Sequence, residues 1–188
     1  MPHRLNTIPN ILTFARIIMI PVFMAVFYLP IPHAGYITAG IFCLAGITDW
    51  LDGFLARKLN QSSPFGAFLD PVADKLIVVV ALVLLVGEFG SVLITLPAAI
   101  IVSREITISA LREWMSEIGK RTSVSVNFIG KTKTFIQIVA IIILLSQPAD
   151  FRLPLVIIGV ILMYVAAALT LWSMMSYLSA AWKEISTD

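Results

Sequence analysis

Residues 48–75 read TDWLDGFLARKLNQSSPFGAFLDPVADK, and they join two apolar segments of the chain through a short polar turn. Asp49 and Asp52 lie in the first segment, and Asp70 and Asp74 lie in the second. An aspartate at the centre of a membrane helix costs about 2.5–3.5 kcal/mol, so four uncompensated ones would cost on the order of 10 kcal/mol. Side chains this costly predict a functional site rather than a packing role.

The spacing of the four aspartates allows them to meet. Asp49 and Asp52 are three residues apart and Asp70 and Asp74 are four apart, so each pair shares one face of a helix. The two pairs also lie at similar distances from the turn, which gives them similar depths in an antiparallel helix pair. Carboxylates crowded together draw in protons or cations, and oxygen-only ligands favour magnesium, manganese or calcium. For any single aspartate, a buried ion pair or an interfacial position is the alternative interpretation.

Small residues accompany the acids. Gly53, Ala56 and Gly66 remove bulk from the acidic faces, and Arg57 lies one turn after Gly53. Close helix packing explains such small residues when they stand alone. Beside four acids, they favour a pocket for a phosphate or nucleotide, with Arg57 available for bidentate contact with a diphosphate.

The composition places the chain in a membrane. Of its 188 residues, 59% are hydrophobic and 13% are charged, whereas soluble domains are near 45–50% apolar and 25% charged. This balance argues against a cytosolic enzyme, a disordered chain and a nucleic-acid binder. The one cysteine, Cys43, excludes an internal disulfide framework and a zinc site built from cysteines.

Apolar runs long enough to cross the hydrocarbon core predict an all-α integral membrane protein with a six-transmembrane-helix bundle. The runs cover residues 11–28, 36–55, 68–86, 92–111, 128–145 and 153–178. Residues 1–188 are expected to form a single domain, in which 1–9 is a short cytoplasmic segment able to lie at the interface. All of the Lys and Arg residues except Arg152 fall on one side if both termini are cytoplasmic, and basic residues favour that side.

The four aspartates, the small residues beside them and Arg57 together resemble the signature of the CDP-alcohol phosphatidyltransferase family, and every fixed position of that signature is filled. That pattern is Asp49-x-x-Asp52-Gly53-x-x-Ala56-Arg57, followed after eight residues by Gly66-x-x-x-Asp70-x-x-x-Asp74. The similarity extends to other stretches, namely residues 8–13 with Arg16, 48–75, 104–105, 110–114 and 130–137.

The resemblance implies a homodimer in the bacterial cytoplasmic (inner) membrane, with its active site open to the cytoplasm. It implies two divalent cations, Mg²⁺ or Mn²⁺, held by Asp49, Asp52, Asp70 and Asp74, with Asp74 as general base. It assigns CDP binding to Gly53, Ala56, Arg57 and Gly66. The implied reaction transfers the phosphatidyl group of CDP-diacylglycerol to sn-glycerol 3-phosphate. The products are CMP and phosphatidylglycerophosphate, in the first committed step toward phosphatidylglycerol and cardiolipin.

The resemblance places no residue on the phosphate of the acceptor, so cations near the cytoplasmic side are the candidates. Arg104 lies inside the fourth span, and Lys131 and Lys133 open the fifth. Cations buried in a bilayer pair or bind substrate, and a second phosphate would give all three a partner. The alternatives are pairing of Arg104 with Glu105 or a signature acid, and a positive-inside anchoring role for the lysines.

Three residues of the first span remain candidates for the mouth of the site. Asn10 and Thr13 are hypothesised to contact cytidine, with capping of the first helix as the alternative. Arg16 either reaches the site or snorkels to the interface. Tyr177 is interpreted as an interfacial anchor.

Two other functions compete with the implied reaction. A related transferase could use a different acceptor, such as serine, inositol phosphate or a second lipid, because the signature itself does not select the alcohol. A divalent-cation transporter could use the acids as its ion site, but Arg57 beside the path would repel cations.

Overall fold

The computed structural model describes residues 8–59, 64–118 and 128–185, and within them the side chains of residues 11–49, 51, 69, 72–118, 132–179 and 182. This described part contains helices and no strands, and each predicted apolar run falls in one helix, except that the last run begins one residue before its helix. The helices are α1 (Ile8–Tyr28), α2 (Ala34–Leu59), α3 (Pro64–Phe89), α4 (Val92–Glu117), α5 (Phe128–Ser146) and α6 (Pro154–Ile185). The prediction of an all-α chain is confirmed. The helix α1 begins inside the predicted N-terminal segment 1–9, whose first seven residues lie outside the described part.

The helix ends follow local chemistry. Pro64 opens α3, where its fixed φ and missing N–H suit a first turn. Gly90 ends the same helix with φ +53°, and its N–H donates to Val86 O at 3.1 Å. This left-handed position favours glycine. Ser91 then caps α4, because its Oγ accepts from the Leu93 N–H at 3.3 Å.

Several helical stretches of the described residues are apolar enough to lie in a membrane. Among the described residues, three helical stretches are long and apolar enough to cross a membrane, namely Ile11–Tyr28, Val92–Glu117 and Pro154–Ser179. Two shorter apolar stretches are Ala34–Asp49 and Thr132–Ser146.

The described residues up to Leu85, with Leu145–Pro148, form one compact unit, in which α1 packs against α2. Phe23 and Phe42 meet in its core with ring centroids 6.2 Å apart. The start of α2 lies so close to the end of α5 that a Cβ at Gly35 would stand 2.8 Å from Leu145 O. Glycine is therefore required by this close approach of two backbones.

The second compact unit comprises the described residues of Val86–Leu144 and those from Ala149 onward, and α4 packs against α6 within it. Ile101 of α4 and Met163 of α6 are fully buried. Phe89 and Phe151 pack edge to face, with centroids 5.4 Å apart. A Cβ at Gly159 would stand 2.8 Å from Leu144 Cδ2, so α6 also approaches α5 closely.

Candidate functional site

The first signature acid is paired with a buried arginine. Arg16 lies in α1 with no solvent-exposed side-chain surface, and its Nη1 donates to Asp49 Oδ1 at 2.6 Å. The Asp49 side chain on α2 keeps 40% of its surface exposed. The alternative that Arg16 snorkels to the interface is wrong, since the guanidinium points at a site residue. This charge-assisted bond offsets part of the cost of placing an aspartate in an apolar helix.

The other signature acids lie on the two helices that the sequence predicts. Asp74 is on α3 with an exposed side chain, and it makes an interaction within the protein. The backbones of Asp52 and Asp70 belong to α2 and α3, but their side chains lie outside the described residues. Among the described side chains, no three of His, Cys, Asp or Glu form a cluster. The convergence of all four acids stays a prediction.

The candidates for CDP binding lie mostly outside the described side chains. That applies to Gly53, Ala56, Arg57, Gly66 and Asn10, although their backbones are helical. Thr13 is described, and its side chain is fully buried one turn before Arg16. Because α1 begins at Ile8, Thr13 lies inside the helix, and the alternative that it caps the helix is wrong. Contact of Thr13 with cytidine stays a prediction.

A second polar cluster lies in the unit built from α4, α5 and α6. Arg104 is 7% exposed, and its Nη1 donates to Glu105 Oε1 at 2.7 Å. Lys133 of α5 is 5% exposed, and its Nζ lies 3.7 Å from the same Glu105 oxygen. The structure thus brings together two of the three cations predicted to bind the acceptor. The side chain of Lys131, the third, lies outside the described residues.

Two residues of α6 make contacts that the sequence interpretation missed. Ser173 Oγ accepts from Arg104 Nη2 at 3.2 Å across a separation of 69 residues. Tyr177 lies against two arginines, since its ring centroid is 5.9 Å from Arg104 Cζ and 5.2 Å from Arg112 Cζ. The Tyr177 hydroxyl accepts from Arg112 Nη2 at 3.0 Å. Tyr177 therefore has contacts that its interpretation as an interfacial anchor does not include, and the interfacial position stays a prediction.

The charge balance of this cluster favours an anion. Three cations, Arg104, Arg112 and Lys133, belong to this cluster, and Glu105 is the one carboxylate of the described residues that ion-pairs with Arg104 and Lys133. Arg104 Nε and Lys133 Nζ are buried and have no hydrogen-bond partner within the described part of the chain. Buried donors without acceptors are costly, and a phosphate would supply acceptors to both.

The chain matches known proteins along most of its length. Residues 6–172 match the family model described as CDP-alcohol phosphatidyltransferase. Proteins from Shigella flexneri serotype 5b and Escherichia coli K12 are 56% identical to this chain over 174 residues, and one from Salmonella typhimurium is 57% identical to it. Each alignment covers 93% of this chain and 94% of the relative. All three relatives are named CDP-diacylglycerol–glycerol-3-phosphate 3-phosphatidyltransferase.

Proposed function

The chain belongs to the CDP-alcohol phosphatidyltransferase family, and we propose that it transfers the phosphatidyl group of CDP-diacylglycerol to sn-glycerol 3-phosphate. The products are CMP and phosphatidylglycerophosphate. The observation that carries this proposal is the 56% identity, over 93% of the chain, to relatives named for that reaction. A cation transporter has no support among these relatives, which are transferases by name.

The donor chemistry of the signature fits divalent metal ions, which this family generally uses. Asp49, Asp52, Asp70 and Asp74 would hold two of them, Mg²⁺ or Mn²⁺, through carboxylate oxygens, the ligands that such hard cations favour. The bond from Arg16 uses Oδ1 of Asp49, and a carboxylate has a second oxygen for a further partner. When bound, the ions would neutralise the diphosphate and stabilise the departing CMP.

In the proposed reaction, Asp74 acts on the acceptor. Its carboxylate takes the proton of the primary hydroxyl while that oxygen forms a bond to the β-phosphorus of CDP-diacylglycerol. The bond from the β-phosphorus to the bridging oxygen breaks, and CMP leaves with the electron pair. The exposed position of Asp74 on α3 supports this role, because a base must reach a substrate that comes from water.

Separate residues are proposed to bind the two substrates. Arg104 and Lys133, together with Lys131, bind the phosphate of glycerol 3-phosphate, and the unsatisfied donors on the first two support this assignment. The CDP group is assigned to the small residues of the signature and to the start of α1, namely Gly53, Ala56, Arg57, Gly66, Asn10 and Thr13.

The long apolar helices and the family identify a membrane protein. We propose that all six helices span the bacterial inner membrane, with both termini and the active site on the cytoplasmic side. Such a site keeps the acyl chains in lipid while CMP leaves to water. A homodimer embedded in membrane lipids is proposed as the functional form.

An acceptor panel tests the proposed function. Purified protein is incubated with CDP-diacylglycerol, magnesium and either glycerol 3-phosphate, serine or inositol phosphate, and CMP release is measured. We expect release with glycerol 3-phosphate alone. Release with only another alcohol would instead identify a related transferase, and cation flux into liposomes without any CMP release would identify a transporter.

A further inference from the structure

The guanidinium of Arg104 is oriented from two sides. Glu105, its neighbour on α4, accepts from Nη1 at 2.7 Å, and Ser173 of α6 accepts from Nη2 at 3.2 Å. The two terminal nitrogens donate both of these bonds, whereas Nε has no hydrogen-bond partner among the described residues. Because the guanidinium is planar, two bonds of this kind fix the direction in which the third nitrogen points.

Tyr177 connects the same arginine to a second one. Its ring lies 5.9 Å from Arg104 Cζ and 5.2 Å from Arg112 Cζ, both within the range of cation–π attraction. Its hydroxyl accepts from Arg112 at 3.0 Å. The aromatic ring thus holds two like charges close to it, although they repel each other, and it does so without supplying a counter-charge.

Ser173 and Tyr177 are four residues apart on α6, so they lie on one face of that helix, and α6 packs against α4. Packing alone would be served by Ala or Leu at these positions. The Ser173 hydroxyl contacts Arg104, and the Tyr177 side chain contacts both Arg104 and Arg112, so together they specify where these cations point.

We propose that Ser173 and Tyr177 are positioning residues, which hold the guanidinium groups of Arg104 and Arg112 in the orientation that receives the phosphate of the acceptor. They do not touch the reacting atoms. The inference rests on the proposed function, because it assumes that the acceptor carries a phosphate. It also adds Arg112 to the proposed acceptor site, because the Tyr177 ring and hydroxyl contact that residue.

The test compares substrate dependence in variants of α6. Ser173→Ala removes one oriented bond, and Tyr177→Leu removes both the ring and the hydroxyl. We expect Ser173→Ala to raise KM for glycerol 3-phosphate about three- to tenfold, and Tyr177→Leu by about tenfold or more. The KM for CDP-diacylglycerol and the melting temperature should stay near wild type. Ser173→Thr should retain the low KM, because it keeps the hydroxyl.

Two further variants make the comparison specific. Thr170 lies one turn before Ser173, and its fully buried hydroxyl has no hydrogen-bond partner among the described residues. Thr170→Val therefore removes a buried hydroxyl from the same helix without disturbing an arginine, and both KM values should stay unchanged. Tyr177→Phe keeps the ring and loses the bond from Arg112, so its KM for glycerol 3-phosphate should lie between those of wild type and Tyr177→Leu.

The outcomes distinguish a failure of the positioning role from a failure of the proposed function. Arg104→Gln is measured alongside the α6 variants. If it raises KM for glycerol 3-phosphate while Ser173→Ala and Tyr177→Leu leave that KM unchanged, the positioning role is refuted and the proposed function stands. Equal increases in both KM values in the α6 variants would also refute it. Absence of CMP release dependent on glycerol 3-phosphate in the wild-type protein would refute the proposed function, and the inference with it.

Discussion

Arg16 and Asp49 illustrate, at the scale of single residues, how an apolar helix accommodates an acid. The arginine has no exposed side-chain surface, and its 2.6 Å bond to Asp49 joins α1 to α2. The sequence places Arg16 near the site but leaves its direction open, because residue spacing fixes a face within one helix and not the rotation of that helix against its neighbour. The partner of Asp49 therefore emerges only when the two helices are packed.

A double-mutant cycle measures this pair. Arg16→Gln, Asp49→Asn and the double variant are unfolded in detergent with a chelator present, so that metal binding does not contribute. We expect a coupling free energy of about 1–3 kcal/mol, typical of a hydrogen bond between charged groups. Arg16→Lys keeps the charge and should lose less stability than Arg16→Gln. Purely additive effects of the two single substitutions would show that the bond contributes nothing to stability.

The proposed base gives a second prediction at this scale. Asp74→Asn removes the proton acceptor with little change of shape, so turnover should fall by a factor on the order of 10²–10⁴ or more, while the protein stays folded. Asp150→Asn is the control, since Asp150 accepts from the Arg152 N–H in the loop before α6, outside the signature. CMP release near the wild-type rate in Asp74→Asn would remove Asp74 from the mechanism.

The contacts of Ser173 and Tyr177 with the arginines could not be predicted from the sequence. Hydroxyl and aromatic side chains are frequent in membrane helices as packing and interfacial groups, so neither one signals a ligand by itself. The available signal was their four-residue spacing on α6, together with two arginines on α4. The aspartates differ, because four acids in apolar helices are costly enough to be conspicuous in the sequence alone.

At the scale of the helix, ends depend on local residues, whereas contacts between helices do not. The turn at Gly90 and the start of α3 at Pro64 follow from residues whose backbone preferences are local. The close approach of two helices at Gly35 does not follow from the sequence, because a glycine in a helix can equally face empty space. Gly40 of the same helix also follows an alanine, yet a Cβ placed there would meet no neighbouring atom within 4 Å.

These two glycines form a matched pair for mutation. Gly35→Ala would place a methyl group 2.8 Å from the backbone oxygen of Leu145, so the helices must separate, at a cost of about 1–3 kcal/mol. Gly40→Ala meets no atom and improves helix propensity, so stability should stay equal or rise by up to about 1 kcal/mol. Melting temperatures in the same detergent provide the comparison. Equal destabilisation by both substitutions would contradict the close approach.

At the scale of the whole molecule, the distribution of Lys and Arg predicts which side of the membrane each helix end faces. With both termini in the cytoplasm, the turn between α3 and α4 faces the opposite side of the membrane, and the end of α4 faces the cytoplasm. Packing within each compact unit does not depend on this orientation, so the helices alone would fit either insertion. Basic residues near the helix ends provide the asymmetry.

Labelling of single cysteines tests this topology. Cys43→Ser gives a cysteine-free background, into which Glu88→Cys or Ser116→Cys is introduced; both positions are exposed. A maleimide that cannot cross the membrane should label Glu88→Cys from outside spheroplasts, and Ser116→Cys only in inverted vesicles. The reverse pattern would place both termini outside the cytoplasm.

The most direct test of the central claim is to quantify both products in one reaction. Purified protein, CDP-diacylglycerol, magnesium and sn-glycerol 3-phosphate should yield CMP and phosphatidylglycerophosphate in equal amounts, and neither product should form when the acceptor is omitted. CMP formed at the same rate without glycerol 3-phosphate, or without a matching amount of phosphatidylglycerophosphate, would contradict the transfer of a phosphatidyl group to this acceptor.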